Sequence, residues 1–481
     1  MVDDALIEGR HPHARAEASD HGSVRTFLPR LDPRRAPTLL LLFAPLVLLL
    51  VLVGLTPEKN RLIMASDLAV YHGYGLRLLG GSVPYLDFSL EYPPLALVPM
   101  TVPLLVPPGG IDEVGYVWRF VLVQGVLAVA AGWLLFWATG RSRTTLVLWA
   151  VLVGLAWASV ALRYDLWPVL WVLVAVLVAE RNPGAAGVAL GLGAMLKLYP
   201  IALLPVLGAY ALVRRDRAGF ARLVVGCVSV VALVMGAAWA LAGPSSLQWL
   251  LYQQDRGLQI ESLGAGLLLG LHALAGLPLD VVYGFGSVQV AGPGSGLLVA
   301  ASPIELAALL GLVTMVAALR FRADYALLGR VPSSSLYLAS SAVIVALLVG
   351  SKVLSVQYVI WLLPFAILLP RRIGWLLVAI TALSTAIYTI DYTGLGRLEI
   401  PVIAALVLRN ALLLALATWL TIRLGARAGA GMPEPIPAVG GPPGADARLT
   451  PPQARDLTAG ERAPAALSVR GVDSGASGPA S

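Results

Sequence analysis

Long apolar runs separated by short polar stretches set the reading of this chain. A membrane-spanning helix needs about 20 apolar residues, or about 17 at the short end. The first such run is residues 37–55. Others follow at 116–138, 145–161, 165–179, 184–196, 200–213, 219–242, 302–319, 335–350, 358–369, 374–390 and 402–422. Together they predict an all-α polytopic membrane protein with about twelve transmembrane helices. Several runs are shorter than a bilayer and must extend into their flanks. One further run, PLALVPMTVPLLV (94–106), has three Pro in 13 residues. It reads as a re-entrant or interfacial segment buried against protein.

Arginine placement orients the bundle. Arg30, Arg34 and Arg35 precede the first run, so the positive-inside rule puts the N-terminus in the cytoplasm. If 94–106 does not span, Arg141, Arg143, Arg181, Arg214, Arg215, Arg217, Arg320, Arg322, Arg371, Arg372, Arg423 and Arg427 share that side. The domain reading follows: a cytoplasmic disordered tail (1–36), a membrane domain (37–422) and a cytoplasmic Pro/Gly/Ala-rich disordered tail (423–481). Two large outer loops are expected, at 56–115 and 243–301.

Composition agrees with this reading. The chain is 58% hydrophobic and 13% charged, against about 25% charge in soluble domains. Its net charge of +7 comes from Arg scattered between apolar runs, which topology explains better than nucleic-acid binding. The single Cys, Cys227, excludes an intramolecular disulfide. The first residues lack the h-region and cleavage site of a signal peptide. No phosphate-loop motif, HExxH or Cys/His metal spacing occurs, which argues against a cytosolic nucleotide-driven motor or a zinc protease; no metal and no cofactor is assigned.

The same bookkeeping puts Asp67, Asp87, Glu91, Arg163, Asp165, Lys197, Tyr199, Arg256, Gln259, Glu261, Lys352, Gln357, Tyr358 and Asp391 at outer helix ends. Charge near a membrane core is costly, so a one-sided collection marks a candidate site. The stretch SDLAVYHGYGLRLLGGSVPYLDFSLEYPP (66–94) is central to it. Ser66 and Asp67 open a short helix that stops at Gly80-Gly81. They serve either as a cap and a dipole partner or, for Asp67, as a general base. Asp87 and Glu91, four apart, would share a face if helical, where two carboxylates could bind a metal, position an acceptor's hydroxyls or sit in a solvated loop. With Tyr71, His72, Gln259, Glu261, Gln357 and Tyr358 they are candidates to bind a sugar or acceptor. For each, a solvated loop is the plain alternative. Arg163 and Asp165 read as a local ion pair orienting two helices. Lys197, Arg256 and Lys352 are candidates for a phosphate, although Lys197 also suits a helix C-terminus and Lys352 could snorkel to headgroups. The apolar stretch LGAGLLLGLHALAGL, after residue 262, reads as interfacial.

Taken together, SDLAVYHGYGLRLLGGSVPYLDFSLEYPPLAL, RYDLWPVL, GLGAMLKLYPIALLP, DRGLQIESL and KVLSVQYVIWLLP resemble the bacterial, largely actinobacterial, polyprenyl-phosphate-sugar-dependent glycosyltransferases of the GT-C type. They are most similar to glycosyltransferase family 87, which includes alpha-1,2-mannosyltransferases. The similarity covers residues 37–422. It departs at Val356, where the KVLSPQY-like form has Pro. The resemblance implies a GT-C bundle with its active site on the periplasmic face of the plasma membrane. It implies a lipid-linked donor, commonly a polyprenyl-phosphate mannose, and a glycolipid or glycan acceptor. It implies Asp67 as the catalytic carboxylate. A lipid or glycolipid transporter or flippase is the rival reading, with polar groups at mid-span and on both faces. A non-catalytic lipid-binding subunit is a third.

Overall fold

The computed structural model describes residues 36–107 and 112–426. The two expected tails therefore lie almost wholly outside the described residues. The chain opens with α1 (Ala36–Leu55), α2 (Glu58–Met64), α3 (Ser66–Leu79) and α4 (Leu97–Leu105). Then come α5 (Glu113–Ala138), α6 (Arg143–Leu155), α7 (Trp157–Leu162), α8 (Leu166–Val178) and α9 (Pro183–Leu196). They are followed by α10 (Leu204–Val213), α11 (Arg217–Ala242), α12 (Gln248–Asp255) and α13 (Leu263–Ala275). A hairpin, β1 (Asp280–Gly284) and β2 (Ser287–Ala291), separates α13 from α14 (Ser295–Leu328). The last helices are α15 (Ser333–Gly350), α16 (Leu363–Leu368), α17 (Arg371–Gly396) and α18 (Ile400–Gly425).

Seven helices among the described residues are long and apolar enough to cross a membrane: Ala36–Leu55, Glu113–Ala138, Arg217–Asp255, Ser295–Leu328, Ser333–Gly350, Arg371–Gly396 and Ile400–Gly425. The chain is thus a helical membrane protein. The other expected runs fall on shorter apolar helices, including Arg143–Leu155, Leu166–Val178, Pro183–Leu196, Tyr199–Val213 and Val356–Leu368. The segment from Pro94 to Leu105 is helical as well, with Leu97, Pro99, Met100, Thr101 and Pro103 buried. Twelve residues of helix reach roughly 18 Å, short of a bilayer core.

Polar side chains mark where several helices begin. The Asp112 carboxylate accepts from the Gly115 amide at 2.9 Å, Asn182 from Ala185 at 3.1 Å and Asp216 from Gly219 at 2.7 Å. Each satisfies an amide that a helix start leaves orphaned. The expected Ser66 cap is absent: α3 starts after Ala65 with no side-chain cap. The helix does stop at Gly80, and Gly81 turns the chain at φ +87°.

Burial sorts the helices into an inside and an outside. The apolar stretch of α15 is 78% buried, against 11% for α14 and 17% for the span containing α11. A helix apolar on every side belongs in the interior, and the exposed apolar faces of α14 and α11 belong to lipid.

Side-chain bonds gather at two ends of the bundle. At one end the Arg320 Nε donates to Asp324 at 2.8 Å, its Nη1 donates to the Ala426 carbonyl at 3.1 Å, and Ser333 bonds Glu180. At the other, Arg409 Nη2 donates to the Glu261 carbonyl at 3.0 Å, and the Lys352 amide donates to Ser302 Oγ at 3.0 Å. Helix α18 separates Arg409 from Ala426 by roughly 25 Å, and α14 separates Ser302 from Arg320 by roughly 27 Å. Those lengths approach the roughly 30 Å hydrocarbon core of a bilayer.

The hairpin was not foreseen. Its strands meet at Phe285-Gly286, with φ of +51° and +63°. Both turn residues of a type I′ hairpin need positive φ. Strand β2 also pairs with the preceding loop: the Ile260 amide donates to Val288 O at 3.0 Å, and the Val290 amide to Leu258 O at 2.9 Å. It thereby pins residues 258–260.

Helices α9 and α11 approach backbone to backbone. A Cβ on Gly187 would collide with the Leu223 carbonyl, and one on Gly191 would lie 2.9 Å from the Cys227 carbonyl. Small residues permit such contact inside a membrane. Gly187→Ala should cost about 1–3 kcal/mol through overpacking. Gly236→Ala, with nothing within 4 Å of its Cβ, should be neutral or slightly stabilising. Denaturation in detergent reads both. Buried Cys227, on the same interface, supplies a second readout: thiol labelling should accelerate in Gly187→Ala and not in Gly236→Ala.

Candidate functional site

Asp67 sits in the first turn of α3, where its side chain remains 36% exposed. Its Oδ2 lies 2.9 Å from Arg163 Nε. Arg163 is the first of the three residues between α7 and α8, in extended conformation, and its side chain is 8% exposed. The rest of its donor fork is occupied. Nη1 donates to Met64 O at 3.1 Å and Leu162 O at 2.9 Å, and Nη2 donates to the Tyr388 hydroxyl at 2.8 Å. Tyr388 donates in turn to Met64 O at 3.0 Å. A planar guanidinium satisfied on every side fixes its carboxylate partner in place.

The expected Arg163–Asp165 pair is therefore replaced by two others. Asp165, 1% exposed, accepts from Lys197 Nζ at 2.7 Å and from Trp361 Nε1 at 2.8 Å. Arg163 closes α7 in extended backbone while Asp165 opens α8, so each finds its partner on a distant segment. Lys197 also stands over the rings of Tyr358 (4.7 Å), Tyr164 (5.3 Å) and Trp361 (5.6 Å). Trp361 stacks on Tyr199 at 3.8 Å and on Tyr358 at 4.3 Å. An aromatic cage and a carboxylate together offset the desolvation of the ammonium. Lys197 is thus engaged within the protein.

Glu261 is 1% exposed. Its Oε1 accepts from the Tyr392 hydroxyl at 3.1 Å, and its Oε2 lies 3.5 Å from Arg409 Nη2. Burial pushes its carboxyl above the ordinary range, against the opposing pull of Arg409 and the Tyr392 hydrogen bond. Gln259 is 3% exposed, with its amide donating to the Lys352 carbonyl at 3.0 Å. Tyr71 is 2% exposed and packs edge-on against Tyr92 and Tyr164 at 6.2 and 5.5 Å. These three were expected to touch a sugar or acceptor, and all three are buried.

The other candidates divide. Asp87 and Glu91 do not share a helical face, because residues 80–93 form turns and bridges. Asp87 Oδ2 accepts from the Val83 amide at 2.7 Å and holds that turn. The Glu91 carbonyl accepts from Gln253 Nε2 at 3.2 Å, tying the first loop to α12. His72 packs on Tyr116 at 4.8 Å between ring centroids. Gln357 and Tyr358 are half-buried in the 3-10 turn Val356–Leu362. That turn starts at Val356 without the proline of the resembling form. Lys352 donates to the Gln254 carbonyl at 2.6 Å, and burial together with Arg256 pushes its ammonium down. Arg256 Nε is buried with no hydrogen-bond partner.

One continuous polar face results. Asp67, Arg163 and Tyr388 lead to Tyr392, whose ring lies 5.7 Å from that of Tyr388, and on to Glu261 and Arg409. Tyr388, Tyr392, Trp361, Arg409 and Asn410 were missed from sequence. Arg409-Asn410 carried a signal, a charged and an amide residue inside the apolar run 402–422. The tyrosines and Trp361 carried none, since interfacial aromatics occur in any bundle. Chemically, the face offers a half-exposed, rigidly held carboxylate beside cations. Among the described residues no group of His, Cys, Asp and Glu could hold a metal. No protein-family model matches the chain, and no curated protein is significantly similar to it.

Asp165→Ala strands the Lys197 ammonium among rings. It should cost about 3–5 kcal/mol, and adding Lys197→Met should recover most of that loss. Chemical denaturation of the three variants in detergent checks this. Glu261 has a folded value above its unfolded one, so the folded state takes up the proton more readily. Its stabilising contribution is complete below the ordinary carboxylate range and is lost as pH rises through that range toward the raised value. Chemical denaturation in detergent should show wild-type stability falling between about pH 4 and pH 7, a fall that Glu261→Gln flattens.

Proposed function

We propose that the protein is a membrane glycosyltransferase of the GT-C type, moving a hexose from a polyprenyl-phosphate donor to a hydroxyl of a glycolipid or glycan acceptor. The observation that carries this reading is the Asp67–Arg163 pair. A carboxylate 36% exposed, 2.9 Å from a buried arginine, is oriented without being covered. It has one oxygen committed to the pair and one available to an incoming hydroxyl.

In the proposed reaction Asp67 takes the proton of the acceptor hydroxyl as its oxygen attacks the anomeric carbon. The bond from that carbon to the phosphate oxygen breaks, and the configuration inverts. The departing lipid phosphate carries away the electron pair, and a cation meets its charge. Arg256 now leads the candidates, because its Nε has no hydrogen-bond partner. Lys197 already neutralises Asp165, and Lys352 holds the Gln254 carbonyl. Gln357, Tyr358 and Glu91, each half-buried at this end, are the remaining candidates to contact sugar or acceptor.

Arg320 and Arg214 bond at the end remote from Asp67. By the positive-inside rule that end is cytoplasmic and the site faces the extracytoplasmic side of the cell membrane. The fuller proposal is a bundle of about twelve spans in which the shorter helices also cross.

Incubation of purified protein with a radiolabelled polyprenyl-phosphate sugar and glycolipid acceptors tests the reading. Asp67→Asn should reduce turnover by about 10²–10⁴-fold with normal expression. Arg163→Lys keeps the charge but loses the fork, and should lower kcat about tenfold with KM little changed. Full turnover by Asp67→Asn would remove this carboxylate from the chemistry.

A further inference from the structure

A second feature lies beside this face and has no part in the proposed transfer. Helices α13, α14, α15 and α18 line an open cavity of about 440 Å³. Its wall is mostly aliphatic, with Leu258, Leu263, Leu267, Leu298, Val407 and Leu414 contributing. Leu267 is 60% exposed and Leu414 51% exposed, so the rim continues onto the outer surface of the bundle. In a membrane protein that surface meets lipid chains.

Five polar residues interrupt the aliphatic wall: Ser302, Glu305, Ser351, Lys352 and Asn410. Glu305 lies one turn beyond Ser302, on the same face of α14. Ser302 Oγ accepts the Lys352 backbone amide at 3.0 Å, while the Lys352 ammonium donates to the neutral Gln254 carbonyl at 2.6 Å, which leaves its charge unmatched. Glu305 has no hydrogen-bond or ion-pair partner among the described residues. An unpaired carboxylate on a lipid-facing apolar helix is costly unless something else neutralises it.

Asn410 sharpens the requirement. It is 6% exposed, and its Nδ2 donates to Ser262 O at 3.2 Å. That bond settles the amide orientation and leaves Oδ1 as a buried acceptor without a partner. The cavity wall thus presents two acceptors that lack a donor, Glu305 and Asn410, and one cation, Lys352. Its occupant has to bring N–H donors with positive charge, a negative charge, and apolar chains.

We propose that this cavity binds a membrane phospholipid with a primary ammonium headgroup, a phosphatidylethanolamine. Its ammonium donates to the Glu305 carboxylate and Asn410 Oδ1, its phosphate faces Lys352, and its acyl chains leave across Leu267 and Leu414. A purely anionic lipid satisfies Lys352 alone and sets its charge beside Glu305. A quaternary choline headgroup has the charge but no N–H for either acceptor. The volume holds a headgroup and the start of its chains, and the exposed apolar rim takes the rest. The proposal stands whether or not the chain transfers sugars.

The test is native mass spectrometry of the full chain in detergent micelles doped with equal amounts of dioleoyl phosphatidylethanolamine, phosphatidylcholine, phosphatidylglycerol or a polyprenyl phosphate. Wild type should retain the ethanolamine lipid about tenfold over each of the others, the scale of one charge-assisted hydrogen bond. Glu305→Gln, at an exposed position, should reduce it to the choline level with an unchanged melting temperature. Ala411→Trp, filling the cavity from α18, should lower retention even if Glu305→Gln proves unstable. Equal retention of choline and ethanolamine lipids, preference for phosphatidylglycerol or the polyprenyl phosphate, or an unaltered preference in either folded variant overturns the proposal.

Discussion

The buried guanidinium of Arg163 is the constraint on which this end of the molecule depends. An arginine in a membrane bundle survives only if its donors and its charge are both met. Here the backbone of Met64 and Leu162, the hydroxyl of Tyr388 and the carboxylate of Asp67 divide that task. Those groups come from the α2–α3 junction, α7, α17 and α3. One side chain therefore sets the position of the first loop against two distant helices. Moving Asp67 would leave a buried charge unpaired, and that penalty gives the carboxylate its fixed orientation.

The same logic recurs twice nearby. Lys197 is enclosed by Asp165 and three aromatic rings, and Glu261 by Arg409 and Tyr392. Each pair joins segments far apart in the chain. Buried ion pairs contribute little net stability against apolar replacements, but breaking one is costly. They act here as registration points between helices whose apolar surfaces would otherwise slide. The hairpin adds a backbone clamp: β2 holds residues 258–260, which carry Glu261 to Arg409 and bring Gln259 against Lys352.

Two environments thus adjoin at one end of the bundle. The face around Asp67 is polar and closely bonded. The cavity around Glu305 is aliphatic, with polar atoms that the protein leaves unmatched. The loop from Gln254 to Ser262 and the segment carrying Lys352 separate them, bonded to each other through the Gln254 and Lys352 carbonyls.

The chain alone determined that this is a helical membrane protein, because lipid requires uninterrupted apolar helix and that requirement is written in consecutive residues. It also marked Asp67, Arg163, Asp165, Lys197, Glu261 and Lys352 as notable, because charge is conspicuous where apolar residues are the rule. Only the tertiary structure decided who pairs with whom. Arg163 and Asp165 are two residues apart yet choose partners on other segments, since backbone direction rather than sequence distance aims a side chain. Packing likewise buried Tyr71, Gln259 and Glu261, and set Arg409 against Glu261. Pairing across distant helices is a property of three-dimensional enclosure, which no local pattern of residues encodes.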